Sequence, residues 1–266
     1  MVKNVIGILA IAWGLLLASA GRAGTLVVGV EQLDYLPYYT LENGEYVGYS
    51  RQLFDAFAED SGHRIEYRPL PVERLYRALL EGTIDFKFPD NPSWRKELRE
   101  ERTLTYSLDI APFLDGVMVR SQFHGRQQDV PLRIGTIRGF SPWPLLLPTR
   151  KGNIDISENN SLLGLLRQVL AGRLNGAYVN VAVATNLLAR IADVSAALVF
   201  DESLPHNRGH YHVSTLNHPQ LIGELNEWLV NNRDRVGELQ ERWGIAGVVR
   251  AGSLSEHGGR SEEAPF

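Results

Sequence analysis

Apolar and polar positions follow two periods along this chain, and one arrangement of them occurs twice. Over residues 72–80 the apolar positions Val72, Leu75, Tyr76, Leu79 and Leu80 recur at the spacing of a helix with one buried face. Leu79-Leu80-Glu81-Gly82-Thr83-Ile84-Asp85-Phe86 then passes through a Gly suited to a left-handed helix end and enters a short apolar strand over 84–88. Leu170-Ala171-Gly172-Arg173-Leu174-Asn175-Gly176-Ala177-Tyr178 repeats the arrangement after a helix predicted over 162–170. Upstream of each copy lies a strand with a Gly near its end, Leu26-Val27-Val28-Gly29-Val30 and Leu132-Arg133-Ile134-Gly135-Thr136-Ile137. One unit used twice predicts two α/β lobes, each a mainly parallel sheet flanked by helices. A cleft between such lobes, at strand C-terminal ends, is where small molecules bind.

The remaining pattern fills in around these units. Asn43-Gly44 predicts a hairpin turn, Leu53, Phe54, Phe57 and Ala58 a helix closed by Ser61-Gly62, and Ile65-Glu66-Tyr67-Arg68 a strand. A densely charged helix is predicted over 94–102, a second-lobe helix over 181–191 and a strand over 198–200. Gly116-Val117-Met118-Val119 reads as the first strand crossing between lobes and Tyr211-His212-Val213-Ser214 as the return. Lobe 1 then comprises 24–115 and 214–249, and lobe 2 comprises 116–213. Helices over 219–230 and 236–243 carry apolar faces (Leu221, Leu225, Trp228, Leu229; Val236, Leu239, Trp243) expected to cover lobe 1. From 250 to 266 almost nothing is apolar, and a disordered tail is expected.

Composition narrows the class. The 266 residues are 44% hydrophobic and 22% charged, ordinary globular values with enough length for two lobes. A net charge of -4 leaves no basic surplus to neutralise a phosphate backbone, which argues against a nucleic-acid partner. Residues 1–23 read as a cleavable signal peptide: Lys3, an apolar stretch from Val5 to Leu17, then small residues, with cleavage after Ala20 or Ala23. A membrane anchor is the alternative, but the apolar stretch is shorter than the roughly 20 residues that a spanning helix needs. The absence of Cys excludes disulfides, thiol chemistry and a lipid-modified N-terminal Cys, so a free periplasmic protein is expected. There is no phosphate-cradling Gly-rich loop, no dinucleotide fingerprint and no nucleophile elbow. His206, His210 and His212 cluster, but a metal would need further ligands; no cofactor and no metal are expected.

With Glu31, Tyr35-Leu36-Pro37-Tyr38, Asn43 to Tyr49, both helix-Gly-strand units and the segment 135–141 in this order, the chain resembles the periplasmic solute-binding proteins of the amino-acid type that serve ABC importers, the bacterial extracellular solute-binding protein family 3. The resemblance implies a type II fold joined by two hinge strands near Val117 and Val213, and closure over a small carboxylate-bearing or amino-acid-like solute. It also implies presentation of that solute to an ABC permease in the inner membrane, a monomer, and no catalysis. The same fold hosts a periplasmic cyclohexadienyl dehydratase, for which Asp90 or Glu31 would be the general acid, and soluble sensor modules.

Carried over by position, the resemblance puts Arg95 at the ligand carboxylate, where a planar guanidinium makes two parallel bonds, or else on a solvated face beside Lys96, Arg99 and Arg102. It puts Tyr35 and Glu31 along the ligand, Asp90 with Asn91 at a polar contact, Arg138, Phe140 and Ser141 at the second-lobe face, and Asn180 in the slot of an Asp that holds the amine. Tyr35, Tyr38, Tyr39, Trp94, Phe140 and Trp143 concentrate rings in loops after strands, which suits a ring-bearing ligand. Three departures stand out: Asn180 is neutral, Gly48-Tyr49-Ser50-Arg51-Gln52-Leu53 replaces the family's Gly-Phe-Asp-x-Asp-Leu, and Lys87 interrupts an apolar strand. Lys87 either lies in water on an edge strand or pairs with Asp85, Asp90 or Glu31.

Overall fold

The computed structural model describes residues 24–99, 102–126, 131–191 and 196–245. The proposed signal peptide and the 250–266 tail lie outside the described residues. The first half contains β1 (Thr25–Glu31), the hairpin β2 (Thr40–Glu42) and β3 (Glu45–Val47), α1 (Tyr49–Ser61), β4 (Arg64–Leu70), α2 (Val72–Leu80) and β5 (Phe86–Asp90). A short α3 (Lys96–Arg99) and β6 (Thr105–Tyr106) lead to the long β7 (Ala111–Arg120). The second half contains β8 (Leu132–Ile137), α4 (Trp143–Arg150), β9 (Ile154–Asn159), α5 (Leu162–Leu170), β10 (Gly176–Asn180), α6 (Val181–Ala189) and β11 (Leu198–Phe200). The chain returns through β12 (Asn207–Thr215) and ends in α7 (Pro219–Asn231) and α8 (Arg233–Arg242).

The strand order is β4-β1-β5-β12-β7-β10-β8-β9. β1 pairs in parallel with β4 and β5, and β8 in parallel with β9 and β10. In each half the third strand meets an antiparallel one, β12 on β5 and β7 on β10, which carries a further short strand, β6 or β11. The halves thus have one topology. β7 and β12 belong to both: Ala111–Asp115 pairs with Asn207–Tyr211, while the rest of β7 pairs with β10 and the rest of β12 with β5 and β6.

The repeated unit has a packing reason. A Cβ on Gly29 would lie 2.4 Å from Ile84 Cδ1 and 2.6 Å from Leu75 Cδ1; one on Gly135 would lie 2.3 Å from Leu165 Cδ1 and 2.7 Å from Leu174 Cδ1. Only a bare backbone lets α2 and α5 sit this close to their strands. Asp85 Oδ2 accepts from Val27 N and Asn175 Oδ1 from Arg133 N, so the residue after each Gly turn clamps the same place on its strand. Leu75 and Leu165 are fully buried, each contributing about 2 kcal/mol. The apolar faces of α7 and α8 pack on the first half, where Ile222, Leu225, Val236 and Leu239 join the core of β1 and α1, and Trp228 Nε1 donates to Asp60 Oδ2 at 2.7 Å.

Two local expectations change. The helix expected over 94–102 is reduced to Lys96–Arg99 among the described residues, because Arg95 takes a left-handed φ of 46° that no helix interior accepts. Lys87 is not on an edge: β5 lies between β1 and β12, and the side chain is fully buried. It finds the second of its expected alternatives, with Nζ 3.4 Å from Asp90 Oδ1, a hydrogen bond to the Pro89 carbonyl, and the Tyr76 ring centroid at 4.1 Å.

Candidate functional site

A cleft opens where the two halves meet, with about 480 Å³ of space between its atoms including the mouth. From the first half it is lined by Glu31 at the end of β1, Tyr35 and Tyr39 in the following loop, Val72 and Tyr76 of α2, Pro89 of β5, and Trp94 and Arg95 after β5. The second half supplies Gly139, Phe140 and Ser141 after β8, and Tyr178 of β10. Asp115 and Tyr211 come from the two shared strands. The lining therefore draws on strand C-terminal ends of both halves, because both parallel sheets point their loops at one another.

Aromatic residues form half of this wall. Tyr35 stacks on Tyr39 at 5.1 Å, meets Phe140 edge-on at 6.0 Å across the two halves, and shares a 3.3 Å hydroxyl contact with Tyr211. Trp94 lies edge-on to Tyr211 at 5.8 Å, and Tyr211 stacks on Phe113 at 4.8 Å. Burial pushes the phenols of Tyr35, Tyr39, Tyr76 and Tyr211 well above their ordinary range, so each is an O–H donor near neutral pH.

The charged groups differ in how they are satisfied. Glu31 is buried, and Tyr39 donates to its Oε2 at 2.5 Å; burial raises its carboxyl, while Lys87 and this hydrogen bond pull it partly back. Asp90 does not reach the lining. Its carboxylate accepts from Tyr76 (2.9 Å), Ser214 (2.6 Å) and the Asn91 backbone (2.8 Å), in addition to Lys87, and so fixes the floor beneath the cleft. Asp115 is pushed up to about 7, chiefly by burial and further by Glu31, against a lowering contact from Asn180. Its Oδ1 is enclosed without a hydrogen-bond partner. Arg95 has its Nε 3.3 Å from Glu97 but outside hydrogen-bond geometry, and its left-handed backbone costs about 1 kcal/mol.

Of the residues singled out in the sequence, Glu31, Tyr35, Tyr39, Trp94, Arg95, Phe140 and Ser141 meet in the lining. Six do not. Tyr38 is buried behind it with its hydroxyl on the Pro112 carbonyl, and Asp90 lies beneath. Asn91 braces its loop through the Ser93 backbone and the His210 carbonyl. Arg138, just past the end of β8, is exposed, pairs with Glu158 at 3.2 Å and is absent from the lining. Asn180 caps α6 through Val183 N, donates to Tyr211, and faces an adjoining groove with Tyr35 and Phe140 instead. Trp143 is half exposed on α4, away from the lining. His212 Nδ1 bonds the Ser107 carbonyl and His206 Nδ1 the Leu204 carbonyl, and no metal-holding group of side chains occurs among the described residues. Asp115, Tyr76, Tyr178 and Tyr211 are lining residues that sequence reasoning missed; the lone acid within the apolar run of β7 was the available signal for Asp115.

This architecture is the type II periplasmic binding protein fold. Residues 26–108 match the model of the bacterial extracellular solute-binding proteins, family 3. Among solved structures, an arginine transport system periplasmic binding protein from Legionella pneumophila aligns with TM-score 0.66 and 12% identity, covering 82% of this chain and 99% of its own. An ancestral amino acid-binding protein, a precursor of cyclohexadienyl dehydratase, aligns with TM-score 0.65 and 18% identity over 86% of this chain and 99% of its own. A histidine kinase sensor domain with similarity to periplasmic binding proteins gives 0.66 and 20% over 82% and 95%. No curated protein matches the chain in sequence. No helix among the described residues is long and apolar enough to cross a membrane.

Proposed function

We propose that this protein is an extracytoplasmic solute-binding protein that closes its two halves over a small carboxylate-bearing or amino-acid-like solute and presents it to an ABC permease, acting as a monomer without catalysis. The observation that carries the reading is the composition of the cleft wall, drawn from both halves and from both shared strands. A solute touching all of them favours the closed arrangement by its differential contacts, and β7 and β12 bend to admit it. The closed arrangement also has its own contact, Arg190 to both Asp34 oxygens at 3.0 and 3.1 Å across the halves. As an exposed pair it contributes at most about 1 kcal/mol, little enough for the solute to decide the equilibrium.

Arg95 is assigned to the solute carboxylate. A strained, partly buried guanidinium lacking a full set of partners fits a group held ready for a ligand. Arg95→Gly is expected to weaken binding of a carboxylate solute at least tenfold while leaving thermal stability unchanged or raised by about 1 kcal/mol, since Gly relieves the left-handed conformation. Equal affinity in the variant would remove Arg95 from the site. The screen that tests the function as a whole is thermal denaturation against amino acids, organic acids, polyamines and aromatic acids. A ligand at 100 times its dissociation constant adds about 2.7 kcal/mol, a melting shift of several degrees.

One observation favours a second reading. Asp115, raised to about 7 and facing the cleft, meets the requirement of a general acid or base, as a dehydratase-like enzyme on this fold would need. Consumption of a bound solute, followed by chromatography, would establish that reading.

A further inference from the structure

We propose that the solvent face of α4 is a membrane-docking patch, which rests reversibly on a bilayer surface bearing anionic headgroups. The inference is independent of which solute the cleft holds. At the helical spacing i, i+3, i+4 and i+7, Trp143, Leu146, Leu147 and Arg150 share one face of α4, and Leu145 lies on the other. Leu145 is fully buried among Leu132, Ile134 and Ile154 of β8 and β9, which fixes how the helix is turned. The opposite face is left to solvent, with Trp143 49%, Leu146 49% and Leu147 60% exposed. These are three of the six large hydrophobic residues exposed among the described ones, gathered on one short helix. The stripe ends in Arg150 and Lys151, both exposed, and no ion pair among the described residues includes either. Of the acids on β9, Glu158 is taken by Arg138, and strand alternation puts Asp155 on the face away from Ile154 and Ile156, which pack with Leu145.

A second copy of the chain does not fit this face. A two-fold contact would set the face against itself, and residues 143–151 hold two cations and no acid. The three apolar side chains also expose on the order of 300 Å² together, against about 800 Å² per partner in a stable protein interface. A bilayer surface answers both features. Leu side chains and an indole settle at the boundary between headgroups and acyl chains, where Trp is enriched, while Arg and Lys meet anionic headgroups. The net charge of -4 opposes approach to such a surface by the rest of the molecule, so this patch sets the orientation. Trp143 N donates to the Ser141 carbonyl at 2.8 Å, and Ser141 lines the cleft, so docking keeps the second-half wall of the cleft beside the membrane.

The test is co-sedimentation of the exported protein, purified from the periplasm of an expression host, with vesicles of phosphatidylethanolamine and phosphatidylglycerol and with vesicles of phosphatidylcholine alone, at about 50 mM and about 500 mM salt. The expected result is partition onto the anionic vesicles about tenfold or more stronger than onto the neutral ones at low salt, narrowing at high salt. A blue shift of tryptophan emission should accompany it and be lost in Trp143→Phe. Leu146→Ser combined with Leu147→Ser should weaken partition about tenfold or more, and Arg150→Glu combined with Lys151→Glu should remove the preference for anionic vesicles. Both double variants should melt within about 2 °C of the parent, because the replaced side chains are exposed. No partition onto anionic vesicles, or partition within twofold of the parent's in the double Leu→Ser variant, overturns the inference. A dimer seen by light scattering and lost in that variant also overturns it and gives the face to a second copy. Each of these outcomes leaves the solute-binding reading standing.

Discussion

Asp90→Ala is expected to cost about 3–5 kcal/mol, a fall in melting temperature of roughly 10 °C, because it strands a fully buried Lys87 and three further donors at once. Removing one partner of a buried pair leaves an uncompensated charge, whereas removing both leaves no buried charge, only the stranded donors and a packing defect. The double variant Lys87→Met with Asp90→Ala should thus be less destabilised than the sum of the single ones, by 1 kcal/mol or more in a double-mutant cycle. Circular dichroism melts of the four proteins measure this. A loss under about 1 kcal/mol for Asp90→Ala would mean that the pair does not support the floor of the cleft.

The second large effect has the opposite sign. Asp115 ionises at about 7 in the folded chain against 3.8 for an ordinary Asp, so the folded state holds its proton more tightly than the unfolded one. The stability this contributes is complete below about 3.8 and is lost as pH rises through 7. Asn has no such titration. Asp115→Asn is therefore expected to gain about 2–4 kcal/mol relative to the parent between pH 4 and pH 8. Urea unfolding at the two pH values measures it, and an equal difference at both would show that Asp115 is not held in its neutral form.

The repeated helix-Gly-strand unit was legible because its causes are local. Gly29 and Gly135 are each required by the helix that runs into the Gly turn of the same half, and the Gly turns at 82 and 172 have φ of 70° and 71°. The burial of Lys87 was not legible, since what covers β5 is β12, joined to it only by the fold more than 120 residues later. Tyr76 and Tyr178 carry the spacing of core residues, and nothing in that spacing tells a ring facing a core from one facing a cleft. Asp115 and Tyr211 sit on strands whose apolar runs read only as connections, although those strands are the part of the wall common to both halves. Arg138 and Asn180 were placed by position in a family, and here a surface ion pair with Glu158 and a helix cap give them other work.

The most direct test of a solute-binding cleft is calorimetric titration of the purified protein with the solute found in the thermal screen, in parallel with Ser141→Trp. Ser141 lines the cleft and is only partly buried, so an indole there fills the space without disturbing a core. The expected result is one solute per chain, recovered chemically unchanged, with binding abolished in a Ser141→Trp protein that melts like the parent. Undiminished binding in that variant, or conversion of the solute during the titration, would contradict the account.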